Sequence, residues 1–156
     1  MGAQVQALDN HQRSKNLSVK VLLLEDNEVD AMWVKRGLKK ASHSKYEVAV
    51  LQKVETLNQF LARNMVDVII VDLNLPDSQG ARTVKDIANT RPGTPIVVLS
   101  GQADFDTMRD ALLAGAQTFQ VKDTGSEETL AERIDFAIRR KYREIELAKK
   151  FIASPL

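Results

Sequence analysis

The stretch Val66-Asp67-Val68-Ile69-Ile70-Val71-Asp72, followed at once by Leu73-Asn74-Leu75-Pro76-Asp77, constrains this chain more than any other. A short, β-branched apolar run reads as a strand covered on both faces, the environment of a parallel sheet. It ends on a carboxylate, and in open α/β sheets ligands bind at the carboxyl ends of the strands. Three further apolar runs also end on reactive groups. Val21-Leu22-Leu23-Leu24 stops at Glu25-Asp26, Ile96-Val97-Val98-Leu99 at Ser100-Gly101, and Phe119-Gln120-Val121 at Lys122. One sheet edge would then gather acids, a hydroxyl and an ammonium.

Taken in order, the pattern predicts a polar, flexible arm over residues 1–18 and a strand over Val19–Leu24. Asn27 caps a helix running to about Ala41, with Glu28 and Asp30 suiting its positive end and with Val29, Trp33 and Leu38 partly buried. A strand over Tyr46–Leu51 and a short helix over Val54–Arg63, with Leu57, Phe60 and Leu61 inward, come next. After the central strand, the loop at Pro76–Gly80 leads to a helix over Ala81–Thr90, broken by Arg91-Pro92-Gly93-Thr94-Pro95. The remaining elements are a strand at Ile96–Leu99, a helix capped by Asp104 and closed by Gly115, a strand at Thr118–Val121, and a long helix from about Glu127. Five strands alternating with five helices describe an α/β fold, a doubly wound five-stranded parallel sheet with right-handed crossovers.

Composition narrows the chemistry. With no cysteine, disulfides, thiol nucleophiles and thiolate metal sites are excluded. The two histidines, His11 and His43, are expected on the surface and make no metal cluster. No apolar run approaches the roughly 20 residues of a bilayer span, so no membrane insertion is expected and the reading is cytoplasmic. The net charge of +1 carries no footprint of direct nucleic-acid binding.

The strand ends suit phosphoryl transfer to a carboxylate. Asp72 is ionised at neutral pH with an ordinary pKa of about 4, but its charge repels an incoming phosphate. A hard divalent cation bridging both removes that repulsion, and Mg²⁺ prefers oxygen ligands in an octahedron. Glu25, Asp26 and Asp72 can supply those oxygens, with the backbone carbonyl of Asn74 as a further donor. Lys122 and Ser100 offer donors for charge developing on the transferred group.

Residues 19 to about 140 resemble a response-regulator receiver domain of two-component signalling, the CheY-like family with a (βα)5 flavodoxin-like fold, in a stand-alone or relay-type form. The resemblance rests on Leu24-Glu25-Asp26-Asn27, on Val71 to Pro76 with Gly80 beyond, on Leu99-Ser100-Gly101, and on Phe119 three residues before Lys122. It implies Asp72 as phosphoacceptor, Mg²⁺ as cofactor, and a histidine kinase or histidine phosphotransfer protein as donor. It further implies Ser100 and Phe119 as the switch pair and a downstream protein partner. Such a chain is a phosphoryl acceptor with self-dephosphorylation only, not a turnover enzyme. Asp123 stands where the family usually has proline, an acid that can compete for the Lys122 ammonium.

Two other readings stay open at this level: a phosphorylation-independent interaction domain, and a phosphatase with an aspartyl nucleophile. The second carries Asp-x-Asp after a strand, and Asn74 stands at the second position here. The domain reading is a receiver over residues 19–139 and a helical extension over 140–156. In that last helix Ile138, Tyr142, Ile145, Lys149 and Ile152 recur at heptad-like steps, compatible with a homodimer contact or a signalling helix.

Overall fold

The structure, a computed structural model of the 156-residue chain, describes residues 18–41, 43–101, 104–123 and 126–153. The arm expected over 1–18, apart from Ser18, and the reading of His11 lie outside the described residues, as do residues 154–156. The strands are β1 (Val19–Leu24), β2 (Tyr46–Leu51), β3 (Val68–Asp72), β4 (Ile96–Ser100) and β5 (Thr118–Val121). The helices are α1 (Glu28–Lys39), α2 (Leu57–Leu61), α3 (Ala81–Thr90), α4 (Phe105–Ala114) and α5 (Leu130–Ala153). Short 3-10 turns precede α2 and α5, at Val54–Thr56 and Ser126–Thr129.

All five strands pair in parallel, in the order β2-β1-β3-β4-β5. The order reverses direction between β1 and β3, so their carboxyl ends flank the crevice where such sheets bind ligands. Register fixes the level of each end. Leu24 pairs with Val71, Asp72 with Leu99, and Ser100 with Val121. The residues just past β1 and β5, Glu25 and Lys122, therefore come level with the end of β3.

Burial separates the two faces as a period of two demands. Leu22, Leu24, Ile69, Val71, Ile96 and Val98 join α2, α3 and α4 in one core. Val21, Leu23, Val68, Ile70, Val97 and Leu99 meet α1 and α5 in the other. In α1 the sheet selects a different helical phase from the one the apolar spacing of Val29 and Trp33 suggests. Val29 is 73% exposed, whereas Ala31, Val34 and Leu38 are buried against the strands and Trp33 only half so.

Local chemistry sets the helix ends. Asn27 accepts a hydrogen bond from the Asp30 N–H at 3.0 Å, and Asp104 accepts one from Thr107 at 2.7 Å. Gly80 has φ 67°, a left-handed turn that lets its N–H reach the Leu73 carbonyl at 2.8 Å and closes the loop after β3. Within that loop Asn74–Leu75 and Ser78–Gln79 form a miniature antiparallel ladder. Asp77 then reaches across to cap the turn before α2, accepting from Val54 and Glu55 N–H at 3.1 and 2.9 Å.

Helix α5 runs unbroken over 24 residues. Leu130, Ala131, Ile134 and Ala137 are buried on the sheet. The Asp135 carboxylate accepts from Tyr46 at 3.1 Å and pairs with exposed His43 at 2.6 Å, tying the helix to the start of β2. Arg140 donates to the Gln117 carbonyl at 3.1 Å. Beyond this point the side chains of Tyr142, Leu147, Phe151 and Ile152 are exposed.

Candidate phosphoacceptor site

Asp72 ends β3 almost fully buried, at 6% exposure, because both neighbouring strands flank it. One carboxylate oxygen accepts the Asn74 N–H at 2.7 Å, which the turn after the strand presents. The other meets the Lys122 ammonium in close contact. Glu25 is still more enclosed, at 1% exposure. Its Oε1 accepts the Asn27 N–H at 3.1 Å and its Oε2 accepts from Lys122 at 3.0 Å. Lys122 is aligned by its backbone N–H, which donates to the Ser100 carbonyl at 2.8 Å.

Asp30, whose charge suits the positive end of α1, also enters the site. Its Oδ2 accepts from the Lys122 ammonium at 2.8 Å. Oxygens of Glu25, Asp30 and Asp72 all lie within 4.8 Å of one another. Asp26 is exposed and stands outside that group. The third acid gathered with Glu25 and Asp72 is thus one helical turn further on than the adjacent pair suggested. A signal for it existed: the helix after β1 starts at the carboxyl edge, so its first turn faces the crevice.

Packing so many charges together shifts their protonation. Burial, with the Asp72 carboxylate beside it, pushes the Glu25 carboxyl up to about 7, against the pull of Lys122. Burial also works against the charge on Asp72. The hydrogen bonds from Glu25, Lys122 and the Asn74 N–H outweigh it and hold Asp72 below the usual carboxylate range. Of the two, Asp72 is held toward its ionised form and Glu25 toward its protonated one. On Lys122, burial opposes the charge, but Asp30, Asp72 and Glu25 together raise its pKa above the ordinary lysine value.

Ser100 is buried at the end of β4, between the Asp72 and Lys122 strands. Phe119 lies inward in β5, at 6% exposure, within the core of Leu22, Ile69 and Val98. Asn74 has an exposed side chain. Three buried or half-buried carboxylate oxygens suit a hard cation such as Mg²⁺, and an ammonium already neutralises part of their charge.

Residues 21–135 match the family described as the response regulator receiver domain. The chain belongs to the response-regulator receiver family. As a receiver, it is 30% identical over 122 residues to the cell cycle transcriptional regulator CtrA of Caulobacter vibrioides, covering 78% of this chain and 51% of that protein. It is 32% identical over 108 residues to the DNA-binding transcriptional activator DevR/DosR of Mycobacterium tuberculosis, covering 67% and 48%. The chain thus spans about half the length of these curated relatives. Among solved structures, a response regulator from Thermotoga maritima superposes with a TM-score of 0.68 at 24% identity, covering 79% of this chain and 99% of that one. A CheY-like receiver domain from Methanospirillum hungatei gives 0.65 at 20% identity, covering 82% and 99%. These likenesses establish the receiver fold. No helix among the described residues is long and apolar enough to cross a membrane.

Proposed function

We propose that this receiver takes a phosphoryl group onto Asp72 from a phosphohistidine on a histidine kinase or phosphotransfer protein. The observation carrying the reading is the convergence of Asp72, Glu25 and Lys122 at one sheet edge, with Asp72 kept ionised inside a buried setting. An Asp72 oxygen forms the new P–O bond as the P–N bond to the donor imidazole breaks. Lys122 then donates to the phosphoryl oxygens, and Ser100 supplies a hydroxyl from the next strand end. Mg²⁺, held by Glu25, Asp26, Asp72 and the Asn74 carbonyl, would offset the repulsion between acceptor and donor phosphate.

Phosphorylation changes behaviour only through the differential stability that it confers on two conformations. Ser100 and Phe119 are the residues through which a changed Asp72 reaches the β5–α5 side, and the output is contact with a downstream protein. The test is intact mass after incubation with acetyl phosphate, with and without Mg²⁺. A single Mg²⁺-dependent phosphoryl adduct on the wild type, absent from Asp72→Asn, is expected. Equal uptake by Asp72→Asn would refute the assignment.

A further inference from the structure

The ammonium of Lys122 has three N–H donors, and three carboxylates meet it: Asp30 at 2.8 Å, Glu25 at 3.0 Å, and Asp72 in closer contact. Every donor is engaged. The three partners differ in what else they must do. Asp72 is the acceptor, and Glu25 is the other enclosed acid, at 1% exposure, that faces the crevice beside it. Asp30 lies on the first turn of α1, its own N–H bound to the Asn27 cap at 3.0 Å, so its carboxylate is carried by a rigid element. A lysine is a point charge on a flexible four-carbon stem and needs such a partner to stay in place.

We infer that Asp30 is a positioning residue: it holds the Lys122 ammonium over Asp72 when metal has drawn Glu25 and Asp72 away. This rests on Asp72 being the phosphoacceptor. In the resting site the ammonium stands on all three acids. With a cation held by Glu25 and Asp72, those two contacts would weaken and the ammonium would be repelled. The Asp30 contact keeps it within reach of the oxygens of the arriving phosphoryl group. Without Asp30, the ammonium leans wholly on Glu25 and Asp72 and competes with the metal there. Asp30 as a direct metal ligand is the opposing account, since its oxygen lies within 4.8 Å of the other two.

A double-mutant cycle on the full chain separates the two. Mg²⁺ affinity is measured by calorimetry for wild type, Asp30→Asn, Lys122→Met and the double variant. If Asp30 acts through the ammonium, Asp30→Asn weakens Mg²⁺ binding about fivefold more with Lys122 present than with methionine there. Equal weakening in both backgrounds overturns the inference, because a ligand or a bare field acts regardless of Lys122. Phosphorylation by acetyl phosphate at saturating Mg²⁺ gives the second readout. Asp30→Asn should lower the maximal rate roughly tenfold, Asp30→Glu should recover part of it, and the loss should vanish in the Lys122→Met background. A faster rate in Asp30→Asn overturns the inference, since removing a negative charge near an anionic donor accelerates uptake if positioning plays no part. A wild type that takes no adduct refutes the phosphoacceptor reading, while the Mg²⁺ cycle still decides whether Asp30 holds Lys122.

Discussion

Replacing Lys122 with methionine removes the positive charge but keeps most of the side-chain volume. Three carboxylates within 4.8 Å of one another then lose the cation that all three contact. Removing one partner of a buried ion pair costs about 3–5 kcal/mol. The lower figure applies here for two reasons. The Asp30 side chain is 36% exposed and stays partly solvated, and Glu25, already pushed up to about 7, escapes by taking a proton. A loss of about 3 kcal/mol lowers the melting temperature of a chain this size by about 6–12 °C. The assay is thermal unfolding by circular dichroism in chelator, at about pH 8, where Glu25 is charged. The deficit should shrink toward pH 6, as Glu25 protonates more readily without the ammonium. It should also shrink in saturating Mg²⁺, which the variant binds more tightly than wild type. Metal-free Lys122→Met as stable as wild type at about pH 8 would refute the claim that the ammonium neutralises this cluster.

Further outcomes follow from three particular residues. The folded-state pKa of Glu25, about 7, lies above its ordinary 4.5, so the fold holds a proton that the unfolded chain has released between those values. This group's contribution to metal-free stability therefore falls as pH rises from 4.5 to about 7. Metal needs the charged form, so Mg²⁺ affinity should climb with pH up to about 7 and then level off. Calorimetry in two buffers of different ionisation enthalpy should detect the proton released below that point. Asp77→Ala removes both N–H acceptors at the turn before α2 and should cost about 1 kcal/mol in urea unfolding, with Asp77→Asn milder. Ile134→Ala, at a position of α5 with no exposure, should cost about 2–5 kcal/mol by the same measurement.

What the sequence made legible was written in short-range chemistry. The caps at Asn27 and Asp104, the glycine closing α4 and the bounds of α3, β2 and β5 all matched expectation. At the caps, at the glycine and at both ends of α3, where Gly80 precedes and Pro92 follows, a polar cap, a glycine or a proline acts within a few residues of itself. Val29 was misassigned because an alternative helical phase fits the apolar residues of α1 equally well, and only docking on β1 and β3 selects Ala31 and Val34. The place of Asp30 was hidden for a related reason. Its partner lies 92 residues away, at the far end of another strand. Spacing along the chain reveals which acids end strands, but not which side chain a helix turn aims at a lysine from elsewhere.

Helix α5 is gripped by the sheet over its first turns and continues past the point where Arg140 meets the Gln117 carbonyl. Thirteen residues, Lys141–Ala153, lie beyond that anchor, which at 1.5 Å per residue makes an arm about 20 Å long. A tilt of about 10° in the gripped half therefore swings the far end by about 3 Å, enough to break a packed contact. By lever geometry alone, a tilt too slight to disturb the sheet would carry the exposed Phe151 and Ile152 through about that distance.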